Sequence, residues 1–333
     1  MKIAILDDYQ DAVRRLDCFA LLQQHEVKVF HNSARGLGQL AIRLAGFEAL
    51  VLIRERTAIP RALLAKLPAL KLISQTGKAS GHIDVAAATE AGVAIAEGVG
   101  DPTAPAELAW TLIMAAMRRV PAYAAHLQRG TWQAASLDPL HNGLGRALKG
   151  RALGIWGYGR IGRLVAGYAR AFGMRVVVWG REASLAKARE DGFEAAASRE
   201  AFFREADVLT LHLRLNEATR GAVTAQDLAL MKPDALFVNT SRAELVAPGA
   251  LLQALQAGRP GMAALDVFED EPPAPDSPWL HLPNVLATPH LGYVEQDSYE
   301  LYFRAAFENV LNFAAGRPSG ILNPEAALTP LSR

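Results

Sequence analysis

The chain has a single cysteine among its 333 residues, Cys18, which excludes an internal disulfide and a cysteine-built zinc site. A reducing cytoplasm is the expected setting, with Cys18 read as a small buried thiol. Charge of one sign is also missing: 35 Lys and Arg stand against 34 Asp and Glu, a formal +1. No chain-wide field draws in nucleic acid or an anionic membrane, so any anion has to be met locally. The uncharged runs reach about a dozen residues before a Pro or Gly interrupts, short of the roughly 20 that span a bilayer. Met1-Lys2-Ile3-Ala4-Ile5-Leu6-Asp7-Asp8 reads as a strand ending in acids and not as a signal peptide. Low-complexity tracts and internal repeats are absent too, and none of the histidines at 25, 31, 126, 141 and 281 shows metal-ligand spacing.

What is there is alternation. Short Val-, Ile- and Leu-rich runs interleave with helical patterns, the mark of βαβ units and a parallel sheet. The first third predicts strands near 3–6, 27–30, 49–53, 70–74 and 93–96, with helical segments near 11–22, 37–45, 60–67 and 84–91. Asp101-Pro102-Thr103 forms a hinge and N-cap, and a helix follows over 104–117, ended by Arg118, Arg119 and Pro121. Residues 122–149 lack periodicity and read as an arm. From 152 the alternation resumes with six predicted strands near 152–156, 175–179, 207–211, 235–239, 262–265 and 285–288, and a last long helix covers about 295–315.

Gly157-Tyr158-Gly159-Arg160-Ile161-Gly162 sets G-x-G-x-x-G after a strand and into a helix, the fingerprint of a dinucleotide pyrophosphate turn. A tight structural turn is the alternative. An acid about 20 residues on would bond a ribose hydroxyl in an NAD site, yet the second strand ends in Gly180-Arg181-Glu182. Gly180 leaves room for a 2′-phosphate and Arg181 suits it, which tilts an open choice of NAD or NADP toward NADP. Glu182, one residue further, would restore a carboxylate, and Arg181 also reads as a solvated loop charge.

Three further strand ends carry chemistry: Asn239-Thr240-Ser241-Arg242, Asp266-Val267-Phe268-Glu269-Asp270-Glu271-Pro272 and Thr288-Pro289-His290-Leu291-Gly292. Carbonyl reduction by hydride needs this set: an arginine for a carboxylate or carbonyl, a histidine to give the proton, and a carboxylate to orient the histidine. Each residue alone has a plain structural reading, as an ion-pair partner, a loop acid or a turn histidine.

These segments, with Asp207-Val208-Leu209-Thr210-Leu211-His212 and spacings of 29 residues from Arg242 to Glu271 and 19 from Glu271 to His290, resemble the D-isomer-specific 2-hydroxyacid dehydrogenases. The resemblance implies an α/β fold of two doubly wound parallel-sheet domains, a Rossmann cofactor domain inserted into a flavodoxin-like substrate domain. The substrate domain would comprise 1–102 and 292–333, the NAD(P)-binding domain 103–291, and 122–149 would be a dimerisation arm making a homodimer. The active site would lie between the domains.

By the same resemblance Arg242 would bind substrate, His290 would be the general acid/base and Glu271 would raise its proton affinity. Thr240 and Asp266 would meet the cofactor, with Asp266 on the nicotinamide carboxamide. The turn Thr76-Gly77-Lys78-Ala79 would offer backbone N–H groups to the substrate carboxylate. Arg54 and Arg56 would stand near the substrate pocket and permit a second acidic group on the substrate. Lys78 departs from the family pattern and either favours anionic substrates or points to solvent. Arg214, where the family has proline, would join Arg181 near a 2′-phosphate. The resemblance leaves no room for a regulatory domain after Gly316. The function implied is interconversion of a 2-keto acid and a D-2-hydroxy acid with NAD(P)H, needing no nucleic acid, membrane or metal. The alternatives are a corepressor-like NAD(P) sensor without catalysis and a formate dehydrogenase-like enzyme, the latter expected to pair its histidine with glutamine.

Overall fold

The computed structural model describes residues 1–34 and 36–327. The expected end of the substrate domain, 328–333, lies outside them. Two compact units form: Met1–Asp101 joined by the segment from Glu295, and Pro102–Val294 between.

The first unit holds β1 (Lys2–Ile5), β2 (Glu26–Val29), β3 (Ala49–Leu52), β4 (Leu72–Gln75) and β5 (Ala94–Ala96), all parallel, in the order β2-β1-β3-β4-β5. That is the flavodoxin-like order. β3 and β4 are buried on both faces, as a parallel sheet covered by helices requires. Leu50, Ile73 and Ile95 pack with Leu63 and Ala88 on one face. The helix Gln296–Ala314 lies against β4, with Ser74 Oγ donating to the Ala306 carbonyl at 2.8 Å. The segment expected to be helical over 11–22 is instead two 3-10 turns, Val13–Arg15 and Asp17–Leu22. A strap closes the outer edge of β5: Ile321 bridges Ala96 antiparallel, and Leu322 N–H donates to the Ile95 carbonyl at 2.7 Å.

The second unit holds β6 (Ala152–Trp156), β7 (Arg175–Trp179), β8 (Glu194–Ala195), β9 (Val208–Leu211), β10 (Leu236–Asn239), β11 (Met262–Leu265) and β12 (Val285–Ala287). All seven are parallel, in the order β12-β11-β10-β9-β6-β7-β8, the dinucleotide-binding arrangement with the chain reversing between β6 and β9. β8 is the strand that the sequence pattern omits, because two residues leave no run to read. The helix Thr103–Arg118 ends with Arg119 at φ 54, and a second helix, Val120–Gln128, follows. Pro121 therefore opens a helix, where its missing N–H costs nothing, and the arm is not wholly irregular.

Candidate active site

The phosphate turn joins β6 to the helix Arg160–Ala171. Gly157 has φ +104, and a Cβ there would stand 2.5 Å from the His212 carbonyl oxygen. A Cβ on Gly162 would overlap the Gly157 carbonyl oxygen, so helix and turn touch only because glycine is present. At Gly159 nothing lies within 4 Å of that position, which leaves open space for a ligand to meet the backbone. The first bond of the helix runs from Arg163 N–H to the Gly159 carbonyl, so the N–H groups of Arg160, Ile161 and Gly162 precede it. Orphan donors at a helix N-terminus beside an open glycine fit a pyrophosphate. The Tyr158 hydroxyl donates to Asp191 at 2.9 Å, and the Ile161 side chain packs on the core. Burial pushes the nearby His212 down to about 4, so it adds no charge to the turn.

Beyond β7, the Glu182 carboxylate accepts from Arg189 Nη1 at 2.7 Å. Arg181 and Arg214 are both exposed, and among the described residues neither guanidinium is engaged.

β10, β11 and β12 deliver the remaining groups. Asn239 Nδ2 donates to the Arg242 carbonyl at 2.8 Å and Asn239 Oδ1 accepts from Ser241 N–H at 3.0 Å, so the strand end fixes the arginine and Thr240 in one turn. Arg242 is half-buried and holds its own loop through Nη1 to the Ser241 carbonyl at 2.6 Å. Glu271 Oε1 accepts from Phe268 N–H at 2.9 Å, and Oε2 meets His290 Nδ1 at 2.6 Å. With Nδ1–H directed at the carboxylate, Nε2 is the ring nitrogen left for proton transfer. Burial works to raise the Glu271 carboxyl; the His290 hydrogen bond and charge, Phe268 N–H and Arg242 outweigh it and hold the carboxyl below its ordinary value. The structure thus brings Arg242, Glu271 and His290 together. Glu269 and Asp270, in the same loop, make no such bond.

His290 sits at φ +52, a left-handed conformation that a non-glycine residue adopts only when its surroundings impose it. Asp266 imposes it. Its carboxylate is wholly buried and accepts from Thr288 Oγ1 at 2.7 Å, Leu291 N–H at 2.7 Å and Gly292 N–H at 2.9 Å, on both sides of the histidine. Burial raises the Asp266 carboxyl despite these donors. The resemblance implies a cofactor role for Asp266; among the described residues, the donors to its side chain belong to the histidine turn.

In the first unit Arg54 stands at φ +53 after β3, its N–H donating to Thr76 Oγ1 at 3.1 Å and its carbonyl accepting from Gln75 Nε2 at 2.8 Å. Its guanidinium lies over Gly77, where a Cβ would collide with it. Arg54 and the 76–79 turn therefore meet. Ala79 N–H donates to Glu97 Oε1 at 2.9 Å and is already engaged, while Lys78, its side chain largely exposed as the solvent reading has it, pairs through Nζ with Glu97 Oε2 at 2.8 Å. Arg56 donates to the Asp7 carbonyl at 2.6 Å and stacks 4.7 Å from the Tyr9 ring centre, an anchor within the unit. Glu97 escaped the sequence reading although it follows β5 at the sheet's carboxyl edge, where such folds bind ligands. Asp8, Asp11 and His31 bring ligand atoms within 4.8 Å of one another, but Asp8 already accepts from Ala12 and Val13 N–H at 3.1 and 3.0 Å. Among the described residues no helix is long and apolar enough to cross a membrane.

The family model for the D-isomer specific 2-hydroxyacid dehydrogenase NAD binding domain matches residues 110–292. A glyoxylate reductase of Aeropyrum pernix is 38% identical over 267 residues, 79% of each chain. A D-3-phosphoglycerate dehydrogenase of Methanocaldococcus jannaschii is 36% identical over 299 residues, 88% of this chain and 53% of its own length, so the chain spans about half of that relative. The crystal structure of a phosphoglycerate oxidoreductase from Vibrio cholerae is similar with TM-score 0.91 and 59% identity, covering 95% of this chain and 99% of that one. The chain belongs to the D-isomer specific 2-hydroxyacid dehydrogenase family of nicotinamide-dependent oxidoreductases.

Proposed function

We propose that the protein interconverts a 2-keto acid and a D-2-hydroxy acid, with His290 as the general acid/base. The observation that carries this reading is the 2.6 Å bond from His290 Nδ1 to Glu271, which leaves Nε2 for the proton on a turn that Asp266 holds. In reduction Nε2–H gives its proton to the forming alkoxide, and the adjacent Glu271 carboxylate stabilises the imidazolium that precedes the transfer. Arg242 holds the substrate carboxylate or its carbonyl oxygen. A bound nicotinamide supplies the hydride. The dinucleotide rests on Gly157–Gly162, with the Thr240 turn beside it.

Arg181 and Arg214, exposed and unengaged while Glu182 is occupied by Arg189, support NADP over NAD. The Glu271 partner speaks for a keto acid rather than formate, since the formate reading rests on a glutamine there. A second copy of the chain is the proposed partner, through the 122–149 arm, and the cytoplasm is the proposed setting.

Turnover of glyoxylate, hydroxypyruvate, pyruvate and phenylpyruvate with NADH and with NADPH tests the reading. At least one acid is reduced, faster with NADPH, and His290→Ala lowers kcat by about 10²–10⁴-fold while dinucleotide affinity holds. A protein that binds the dinucleotide and reduces none of the panel is a sensor, and the proposal fails.

A further inference from the structure

Strands β1, β3, β4 and β5 each deliver charged or polar residues to the carboxyl edge of the first sheet: Asp7 and Asp8, Arg54 to Arg56, Thr76 to Ala79, and Glu97. The cations alone suggest a surface for a substrate with two anionic groups. Their partners alter that picture. The Glu97 side chain is only 18% exposed, and its two oxygens meet Lys78 Nζ at 2.8 Å and Ala79 N–H at 2.9 Å. Its backbone is pinned on both sides, with N–H donating to the Gly320 carbonyl at 2.9 Å and the carbonyl accepting from Asn309 Nδ2 at 3.0 Å. Gly98 follows so close to β4 that a Cβ would stand 2.6 Å from the Gln75 carbonyl oxygen. Glu97 therefore has no backbone freedom to swing away. Arg54 Nε lies 4.0 Å from Glu55 Oε2, and Arg56 lies against the Asp7 backbone. Asp7, Asp8, Glu55 and Glu97 stand against Arg54, Arg56 and Lys78, so the edge carries no surplus of positive charge.

Resting on the reading of this edge as the substrate end, we propose that Glu97 is a specificity-determining residue: it confines the protein to 2-keto acids with one anionic group and an uncharged substituent, and turns away those bearing a phosphate or second carboxylate. A fixed carboxylate with little solvent around it repels an incoming anion more strongly than one in open water. It also engages the Ala79 N–H and one donor of the Lys78 ammonium, so neither is wholly free for a further anionic group. Discrimination by a repulsive element is as effective as added attraction.

The test compares kcat/KM for hydroxypyruvate and for 3-phosphohydroxypyruvate in the wild type and in Glu97→Gln. The wild type favours hydroxypyruvate by about 100-fold or more, the scale of a like-charge penalty. In Glu97→Gln that ratio falls by about tenfold or more, equivalent to about 1.4 kcal/mol. Because both rates come from one preparation, any loss of folded protein cancels. Lys78→Met, which leaves the Glu97 charge uncompensated, widens the ratio. A wild type that prefers the phosphorylated acid, or a ratio that Glu97→Gln leaves unmoved, overturns the inference and leaves the reductase reading standing. Absence of turnover with every 2-keto acid overturns the reductase reading, and this inference with it.

Discussion

Glu271 feels two opposing effects, burial that favours its neutral form and a histidine, an arginine and a backbone N–H that favour the carboxylate. The second group wins, so the folded-state value lies below the ordinary 4.5. A depressed acid stabilises the fold above its unfolded value and loses that contribution as pH falls through the folded one. Urea midpoints taken between about pH 6 and pH 3 should therefore fall more gently for Glu271→Gln than for the wild type. With the side chain 34% exposed, the neutral-pH loss is about 1 kcal/mol or less. An acid limb as steep in the variant as in the wild type would rule out the account. Asp266 behaves oppositely: burial raises it, and its worth lies in the geometry of the three donors it gathers around His290.

Among the elements, the turn from β6 into the helix Arg160–Ala171 has the least tolerance for added atoms. A methyl at Gly162 meets the Gly157 carbonyl oxygen, and a backbone contact cannot be relieved by a rotamer change. Gly162→Ala is expected to weaken dinucleotide binding by about tenfold or more and to cost about 1–3 kcal/mol of stability, the range for overpacking. Fluorescence titration with NADPH and thermal melting measure both, and wild-type affinity in the variant would refute the close-contact argument. This turn was legible in the sequence because its function depends on local order: a strand, three spaced glycines and a helix. Arg242, Glu271 and His290 were legible for a related reason, since each ends a strand and the strands are parallel neighbours. Other elements were not. β8 exists only because Val177 and Val178 offer it a partner edge. The helix Val120–Gln128 buries no residue within the chain, so it shows no apolar stripe. The Glu97–Ala79 bond joins residues that become neighbours only through the β4–β5 register.

For the whole molecule, four of the most exposed large apolar residues fall within one short segment. Trp132, Leu137, Leu140 and Leu144 are 76–89% exposed in the chain by itself, within the arm proposed to meet a second copy. Light scattering is expected to give a dimer mass, and Leu140→Asp with Leu144→Asp a monomer; a monomeric wild type would end the proposal. The nested order of the two units bears on how the chain is made. Pro102–Val294 is uninterrupted, and all that its sheet requires is present once Val294 has been synthesised. The first sheet waits longer, since it needs Phe303 and Phe307 from the far end and the Leu322–Ile95 pairing to cover β5. A nascent chain therefore leaves the ribosome with its earliest-made sheet unfinished and its latest-closing edge open to strand pairing with other chains. Chaperone demand and aggregation during synthesis should concentrate there, on the part translated first.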